Sequence, residues 1–338
     1  MATYKEIQGE AVVNTSADIT SEGQVFYNTP GNAFKVATAT ASDAFANGGN
    51  LGTGRYSRAH FGTQTSAVFA GGSPPSTTQG SEHYDGSSWT AGGNMNVSRR
   101  NLTGGGVLTA GVAFGGITGP GYPSGAVIVA STEHYNGSSW TNATNMPTAT
   151  RGQQGTGTQT AAFACGGSVA PGASPAGASK VDTFEYDGSN WTTGGNLGHG
   201  RSDGQASGTL TAGLVVGGRE TLPPYPATPA ADTVEEYDGT SWTAGGAYPT
   251  AMNAVGNAGT QTASLVCGGN TGGNQSASNL YNGTSFSSSA TLNTGRGYLS
   301  GCGTQAAGLF AGGGVPPYQQ TEEFTIGGTP SVETIDVT

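Results

Sequence analysis

Arginines recur at one position of a repeating pattern in the chain, where they could bind an anion. The first of two adjacent glycines follows 16 residues after each of Arg55, Arg99, Arg201 and Arg296. Arg151 is one residue nearer to its glycine pair, and Met252 takes the position in another unit. Guanidinium groups bind carboxylates through paired hydrogen bonds, so this set could clamp an acidic sugar. Alternatively, each arginine bonds backbone carbonyls where two units meet, and the regular recurrence favours this structural role.

Two histidines could share a metal ion. His83 and His134 directly precede equivalent tyrosines, and three other units have a glutamate there, at Glu185, Glu236 and Glu323. Residues that alternate along a strand are more often half-exposed positions of the pleat. The sequence therefore predicts no metal site.

The three cysteines are expected to be ordinary core residues. Cys165 and Cys267 directly precede glycine pairs, where other units carry small or apolar residues, and Cys302 is interpreted in the same way. An odd number without Cys-x-x-Cys spacing predicts neither a disulfide framework nor a zinc site. No histidine or lysine motif accompanies any of them that would activate a thiolate.

Known catalytic motifs are missing from the sequence. It contains no phosphate-binding Gly-x-x-x-x-Gly-Lys loop, no His-Glu-x-x-His pair and no Gly-x-Ser-x-Gly elbow. The separation of Asp85 and Trp89 is one residue shorter than the Asp-box of sialidases requires. Most carboxylates recur with the repeat and so have repeated structural duties. We therefore expect no catalytic residue, no cofactor and no enzymatic activity.

The elements that position these residues come from a repeat of six units. Each unit has a glycine pair at the end of a short apolar run, and the pairs begin at Gly71, Gly115, Gly166, Gly217, Gly268 and Gly312. The intervals are 44, 51, 51, 51 and 44 residues. An aromatic follows each pair, and in five units a second aromatic comes five residues later, as in Tyr84 and Trp89. Self-similarity at this period is typical of a β-propeller.

Each unit reads as four short antiparallel strands, which form one blade. The first strand follows the arginine, the second runs into Gly-Gly, the third ends on the tyrosine, and an Asp-Gly or Asn-Gly turn leads to the fourth. Residues 45–51 match the fourth strand, whereas the chain leaves the repeat on a third strand after Phe324. The sequence thus predicts an all-β, six-bladed propeller over residues 41–328, closed by an N-terminal strand. The first strand would be innermost, so the repeated arginines would ring the mouth of the central channel.

The composition excludes several classes of protein. Gly accounts for 61 of 338 residues and charged residues for 9%. This composition disfavours long helices, since interior Gly costs about 1 kcal/mol relative to Ala. A net charge of −10 argues against nucleic-acid binding, which needs clustered Lys and Arg. No apolar stretch is long enough to span a membrane, and the N-terminus lacks the pattern of a signal peptide.

The order apolar run, Gly-Gly, Tyr, Trp resembles the kelch motif. The segment Glu22-Gly23-Gln24-Val25-Phe26-Tyr27-Asn28-Thr29-Pro30-Gly31-Asn32-Ala33-Phe34-Lys35-Val36 resembles a hairpin of tail-fibre and other virion proteins of tailed bacteriophages. Gly-Thr-Gln-Thr turns are similar to those of propellers in structural proteins of marine phages. The resemblance implies an attachment or oligomerisation segment with a β-hairpin at residues 1–40, the propeller, and a C-terminal tail at residues 329–338.

Irregular connections are the places where a ligand could bind. The stretch from Gly-Gly to Tyr is 19 residues long in the second, third and fourth units and 12 in the first and fifth. Three adjacent blades would thus raise proline- and tyrosine-containing loops on one face, and loops on a rigid scaffold often carry binding sites. The predicted ligand-binding residues are Tyr122, Tyr225, Tyr318 and Arg219. Alternatively, the loops pack on a neighbouring subunit or only cover grooves between blades.

Together these points lead us to expect a non-enzymatic structural protein of a phage virion. It would be a tail fibre or appendage whose propeller binds a host surface glycan or another virion protein, with its own copies as further partners. Alternatives are a capsid decoration or assembly protein and, third, an enzyme like galactose oxidase or a sialidase. Neither nucleic acid nor a membrane is an expected partner.

Overall fold

The structure is a computed structural model. It describes residues 42–73, 77–119, 125–170, 179–220, 230–314, 316 and 318–327, together with the backbone of four outlying strands. The first sixteen strands are β1 Val13–Thr15, β2 Val25–Asn28, β3 Ala33–Thr38, β4 Ala44–Asn47, β5 Ala59–Thr63, β6 Ser66–Ala70, β7 Ser81–Tyr84, β8 Trp89–Ala91, β9 Thr103–Val107, β10 Ala110–Phe114, β11 Ile117–Thr118, β12 Val127–Ile128, β13 Thr132–Tyr135, β14 Trp140–Ala143, β15 Gln154–Thr158 and β16 Ala161–Cys165. The others are β17 Thr183–Tyr186, β18 Trp191–Thr193, β19 Arg201–Ser202, β20 Gln205–Thr209, β21 Ala212–Val216, β22 Arg219–Glu220, β23 Val234–Tyr237, β24 Trp242–Ala244, β25 Gly256–Gly259, β26 Ser264–Cys267, β27 Ser278–Tyr281, β28 Phe286–Ser288, β29 Ser300–Gly303, β30 Ala307–Ala311, β31 Thr321–Thr325 and β32 Ser331–Thr334.

Six four-stranded antiparallel sheets form the blades of a propeller. Blades 1 to 5 are β5-β6-β7-β8, β9-β10-β13-β14, β15-β16-β17-β18, β20-β21-β23-β24 and β25-β26-β27-β28. Blade 6 is β29-β30-β31-β4, so an N-terminal strand closes the ring as the sequence predicted. The first strands of successive blades contact each other, and β29 returns to contact β5. The prediction of an all-β, six-bladed propeller is confirmed.

The hydrophobic core lies between neighbouring blades. One cluster joins Phe61 and Val68 of blade 1 to Ala113, Tyr135 and Trp140 of blade 2. Equivalent clusters join blades 2 and 3, 3 and 4, 4 and 5, and 6 and 1. Glycine makes this contact possible, since a Cβ at Gly111 would lie 2.2 Å from Cζ of Phe61. All twelve glycines of the six pairs have positive φ, a conformation that disfavours other residues.

The chain divides into two compact units, Phe45–Thr325 and a smaller one formed by Met1–Ala44 with Ile326–Thr338. In the smaller unit, β1 pairs in parallel with β2, and β2 and β3 form an antiparallel hairpin. β32 pairs with β3, so the segment assigned from sequence as a C-terminal tail adds a strand to this sheet. Within the described residues, no helix has the length and hydropathy required to cross a bilayer.

Candidate functional site

The four repeated arginines lie inside the blades and do not ring the channel mouth. Arg55, Arg99, Arg201 and Arg296 are at most 3% exposed. Each pairs with a glutamate two residues before the aromatic that ends the third strand, and the pairs are Arg55–Glu82, Arg99–Glu133, Arg201–Glu235 and Arg296–Glu322. The same guanidinium donates to the carbonyl of the first paired glycine, as from Arg99 to Gly115 at 2.8 Å. Their position differs from the expected one because these internal acceptors draw each guanidinium into the blade.

The arginine and the glutamate are present or absent together. Thr150 and Phe184 occupy the two positions in blade 3, and Met252 and Asn279 occupy them in blade 5. Each blade therefore has both charges or neither. An unpaired buried charge is destabilising by about 3–5 kcal/mol, which explains why one partner never occurs alone. The pair is part of how a blade is built.

The histidines and glutamates that precede the third-strand tyrosines connect one blade to the next. Nε2 of His83 lies 2.6 Å from the hydroxyl of Tyr135, and Nε2 of His134 lies 2.9 Å from that of Tyr186. Carboxylates accept the equivalent hydrogen bonds in three other places, from Tyr237 to Glu185, from Tyr281 to Glu236 and from Tyr84 to Glu323. In the sixth place, an apolar pair, Leu280 and Phe324, replaces acceptor and donor. These side chains are thus structural.

Neither the cysteines nor any acidic cluster forms a reactive or metal centre in the described part of the chain. Cys165, Cys267 and Cys302 are free and buried, and burial raises the pKa of each thiol, for Cys302 to about 12. Among the described residues, no group of three His, Cys, Asp or Glu side chains could hold a metal ion.

A ring of six residues surrounds one mouth of the central channel. They follow the repeated arginine position by two residues and have φ between 52° and 62°: Ser57, Asn101, Gly152, Asp203, Ala254 and Tyr298. From Asn101 to Tyr298, each backbone N–H donates to the carbonyl of the preceding member. The six line a recess together with His60, which also lines the channel below. That channel has a cavity of about 170 Å³ and a wall made mostly of glycine.

Three arginines lie on the same face, in consecutive blades. Arg100 and Arg151 follow the repeated arginine position by one residue in blades 2 and 3, and Arg219 follows the glycine pair of blade 4. All three are half-buried. Arg100 donates to the carbonyl of Gly119 at 3.4 Å and Arg151 to that of Ala170 at 2.7 Å, where two of the long connections begin.

Tyrosines complete the mouth on the side of blades 1 and 6. Arg219 donates to the hydroxyl of Tyr298 at 3.1 Å. The ring of Tyr298 lies 6.0 Å from that of Tyr56, which in turn lies 5.8 Å from that of Tyr318. The structure thus connects two predicted ligand-binding residues, Arg219 and Tyr318, through two tyrosines. The other two, Tyr122 and Tyr225, lie outside the described residues.

Asp203 is the carboxylate of this mouth. Its Oδ2 lies 3.7 Å from Nε of Arg219. Burial raises its pKa, and the positive charges of Arg151 and Arg219 oppose that rise. The arrangement offers cations, one acceptor and a tyrosine surface, which together can bind a polar ligand that carries an anionic group.

Comparison with known proteins identifies the fold. No family model matches the chain, and no curated protein does. Solved structures give 287 matching chains, and one of them is YjhT, a propeller, with a TM-score of 0.66 and 14% identity. The alignment covers 85% of this chain and 99% of that chain. The match is one of fold. At this identity the likeness to YjhT carries nothing about activity or ligand.

Sequence reasoning missed Arg100, Asp203, Tyr56 and Tyr298 as parts of the mouth. The signal was available as departure from the repeat. The two positions after the repeated arginine read Tyr-Ser, Arg-Asn, Arg-Gly, Ser-Asp, Asn-Ala and Gly-Tyr in the six units. Because the blade does not require one residue type at these two positions, their side chains can differ between blades and contact a ligand.

Proposed function

We propose that the chain is a non-enzymatic recognition protein that binds a surface glycan with the loop-bearing face of its propeller. The observation that carries this proposal is the contrast between regular and irregular positions. Core aromatics, glycine pairs and buried ion pairs recur around the ring, whereas the residues at the loop-side mouth differ from blade to blade. Unlike residues around one mouth of a regular scaffold are expected of a binding surface.

We propose further that the protein belongs to a phage virion, as a kelch-like tail fibre or appendage. The likeness of residues 22–36 to a hairpin of virion proteins supports this, and β2 and β3 form a hairpin within that stretch. The smaller unit would then attach the propeller to other virion proteins or to further copies of the chain. A capsid decoration protein would use the same unit for attachment but would need no glycan site.

A binding assay on the purified full chain tests the proposal. Labelled protein is applied to a glycan array and to candidate host cells, and each bound glycan is examined by mass spectrometry for chemical change. We expect binding without turnover. Arg219→Ala and Tyr318→Ala should each weaken it at least several-fold while the melting temperature is kept.

Lys35→Ala is the matched control, because it removes one positive charge from β3 of the smaller unit. It should bind like the unchanged chain. Turnover of a glycan would contradict the non-enzymatic role. Binding only to other virion proteins would replace glycan recognition with a structural role.

A further inference from the structure

We infer that the loop-side mouth binds the anionic group of an acidic saccharide, with Arg100, Arg151 and Arg219 as its cationic side. This inference deepens the glycan recognition proposed above and rests on it. It names the chemical class of the ligand and the side chains that select it.

The distribution of arginines is the first observation. The chain has eight arginines and a net charge of −10, and all eight arginines lie in described residues. Four are buried in ion pairs with glutamate, and Arg58 is buried against backbone carbonyls. The remaining three all lie at one mouth. A surface that needed arginine only for solubility would have no reason to concentrate it there, whereas an anion site would.

The three arginines belong to equivalent backbone bridges in consecutive blades. The backbone of Arg100 forms an isolated β-bridge with Ile117, and that of Arg151 forms one with Ser168. The two bridges are equivalent in blades 2 and 3. In blade 4 the equivalent bridge joins Ser202 to Arg219, so the arginine there lies on the strand that follows the glycine pair. Burial lowers the pKa of Arg151, Asp203 opposes that effect, and the nearby positive charges of Arg100 and Arg219 add to it. Like charges are therefore held close together, and an anion bound among them would relieve their repulsion.

Arg58 places a further positive charge beneath this arc. It is 1% exposed, donates to the carbonyls of Arg55 and Ala311, and lies over the ring of Phe69 at 4.7 Å. Its Nε has no hydrogen-bond partner, and no carboxylate of the described residues forms an ion pair with it. Arg58 lines the same recess as Asp203 and Tyr298. Arg58 feels the negative charge of Glu82 but has no direct ion pair among the described residues, so an anion bound in the recess would add to its stabilisation.

The other groups at the mouth fit a sugar better than a bare anion. Asp203 can accept a hydrogen bond from a hydroxyl group, and Tyr56, Tyr298 and Tyr318 offer ring faces to the apolar side of a pyranose. Arginine binds a carboxylate or a sulfate ester through paired hydrogen bonds. A nucleic acid is disfavoured, because it needs an extended basic track and this chain is acidic.

The test compares three probes by calorimetry on the full chain: an oligogalacturonate with free carboxylates, the same oligosaccharide as its methyl ester, and inorganic sulfate. We expect the oligogalacturonate to bind at least about tenfold more tightly than either other probe, the factor that one charge-assisted hydrogen bond supplies. Arg100→Gln and Arg219→Gln should each weaken it by about tenfold or more, and Arg219→Lys should weaken it less than Arg219→Gln.

Lys180→Gln is the matched control, since Lys180 is half-buried like the three arginines but pairs with Asp182 at 3.5 Å. It should leave the affinity unchanged. Equal binding of the methyl ester, equal binding of sulfate, arginine variants that bind normally, or no binding of any probe would each overturn the inference. Glycan-array binding that is weakened by Tyr318→Ala and Arg219→Ala but unchanged by Arg100→Gln, with no preference for acidic glycans, would overturn this inference and leave the proposed function standing. Arginine-dependent binding of oligogalacturonate without binding to any array glycan or cell would support the anion site but contradict the proposed recognition of a surface glycan.

Discussion

Replacing Arg99 by methionine should destabilise the propeller, and replacing Glu133 by asparagine at the same time should restore much of the loss. Arg99 is fully buried and donates to the carbonyls of Gly115 and Ser131 at 2.8 and 2.6 Å and to Glu133 at 2.8 Å. The single variant leaves the carboxylate of Glu133 fully buried without its cation. Such a loss costs about 3–5 kcal/mol.

The chain itself supplies the compensating pair. Blade 5 has methionine and asparagine at the two positions, as Met252 and Asn279, and Asn279 donates to the hydroxyl of Tyr248 at 3.0 Å. The double variant copies these two positions and leaves no buried charge there, although Met95 stands where blade 5 has the hydroxyl of Tyr248. We expect a coupling energy between the two substitutions of about 2–3 kcal/mol in favour of the double variant.

Thermal unfolding and urea unfolding of the wild type, both single variants and the double variant measure this cycle. A loss of 3–5 kcal/mol corresponds to a fall in melting temperature of roughly 6–20 °C for a domain of this size. If Arg99→Met costs less than about 1 kcal/mol, or if the double variant loses the sum of both single variants, the buried pair does not have the role assigned to it.

Three further predictions concern the channel, the closure of the ring and the thiols. Burial lowers the pKa of His60 from its usual 6.5 to about 4. The unfolded chain therefore binds the proton more readily than the folded one. The free energy of unfolding should fall by about 3 kcal/mol as the pH drops from 6.5 to 4. His60→Asn, the residue at this position in blade 5, should flatten that slope in urea titrations; an unchanged slope would exclude His60 as its source. Phe45→Ala should lower the melting temperature, because the ring centroid of Phe45 lies 5.0 Å from that of Phe324 and 6.0 Å from that of Phe310. The loss of these contacts should cost about 1–3 kcal/mol. An unchanged melting curve would contradict a stabilising role for this strand. The three buried thiols should react with a disulfide reagent only after unfolding, and rapid labelling of the native chain would show that they are accessible.

The repeat made the fold predictable because each blade is specified locally. Glycines with positive φ end the second strands, and Asp-Gly or Asn-Gly turns connect the third and fourth. Asp85 shows the local logic, since its Oδ1 accepts from the N–H groups of Ser87 and Ser88 at 2.8 Å, and these bonds lower its pKa to about 2. Such contacts lie within a few residues of the chain, where sequence reasoning works well.

Periodicity gave the residues of the candidate site only in part. Arg219 and Tyr318 could be named as departures at the ends of loops, but Tyr56 and Tyr298 are 242 residues apart in the sequence and meet only because blade 6 closes on blade 1. The role of the repeated arginines also depended on partners about 26 to 34 residues away. Spacing alone could not distinguish a guanidinium that faces the channel from one that turns into the blade.

The amino-acid sequence by itself determined the number of blades, the order of their strands and the closure by the N-terminal strand, because repeated turns and alternating apolar residues encode these features locally. Only the tertiary structure decided which arginines form ion pairs with glutamates inside the blades and which lie at the mouth. The location of each arginine depends on how deeply it is buried and on which carbonyl and carboxylate groups accept its hydrogen bonds. Both are determined only when all six blades surround the channel.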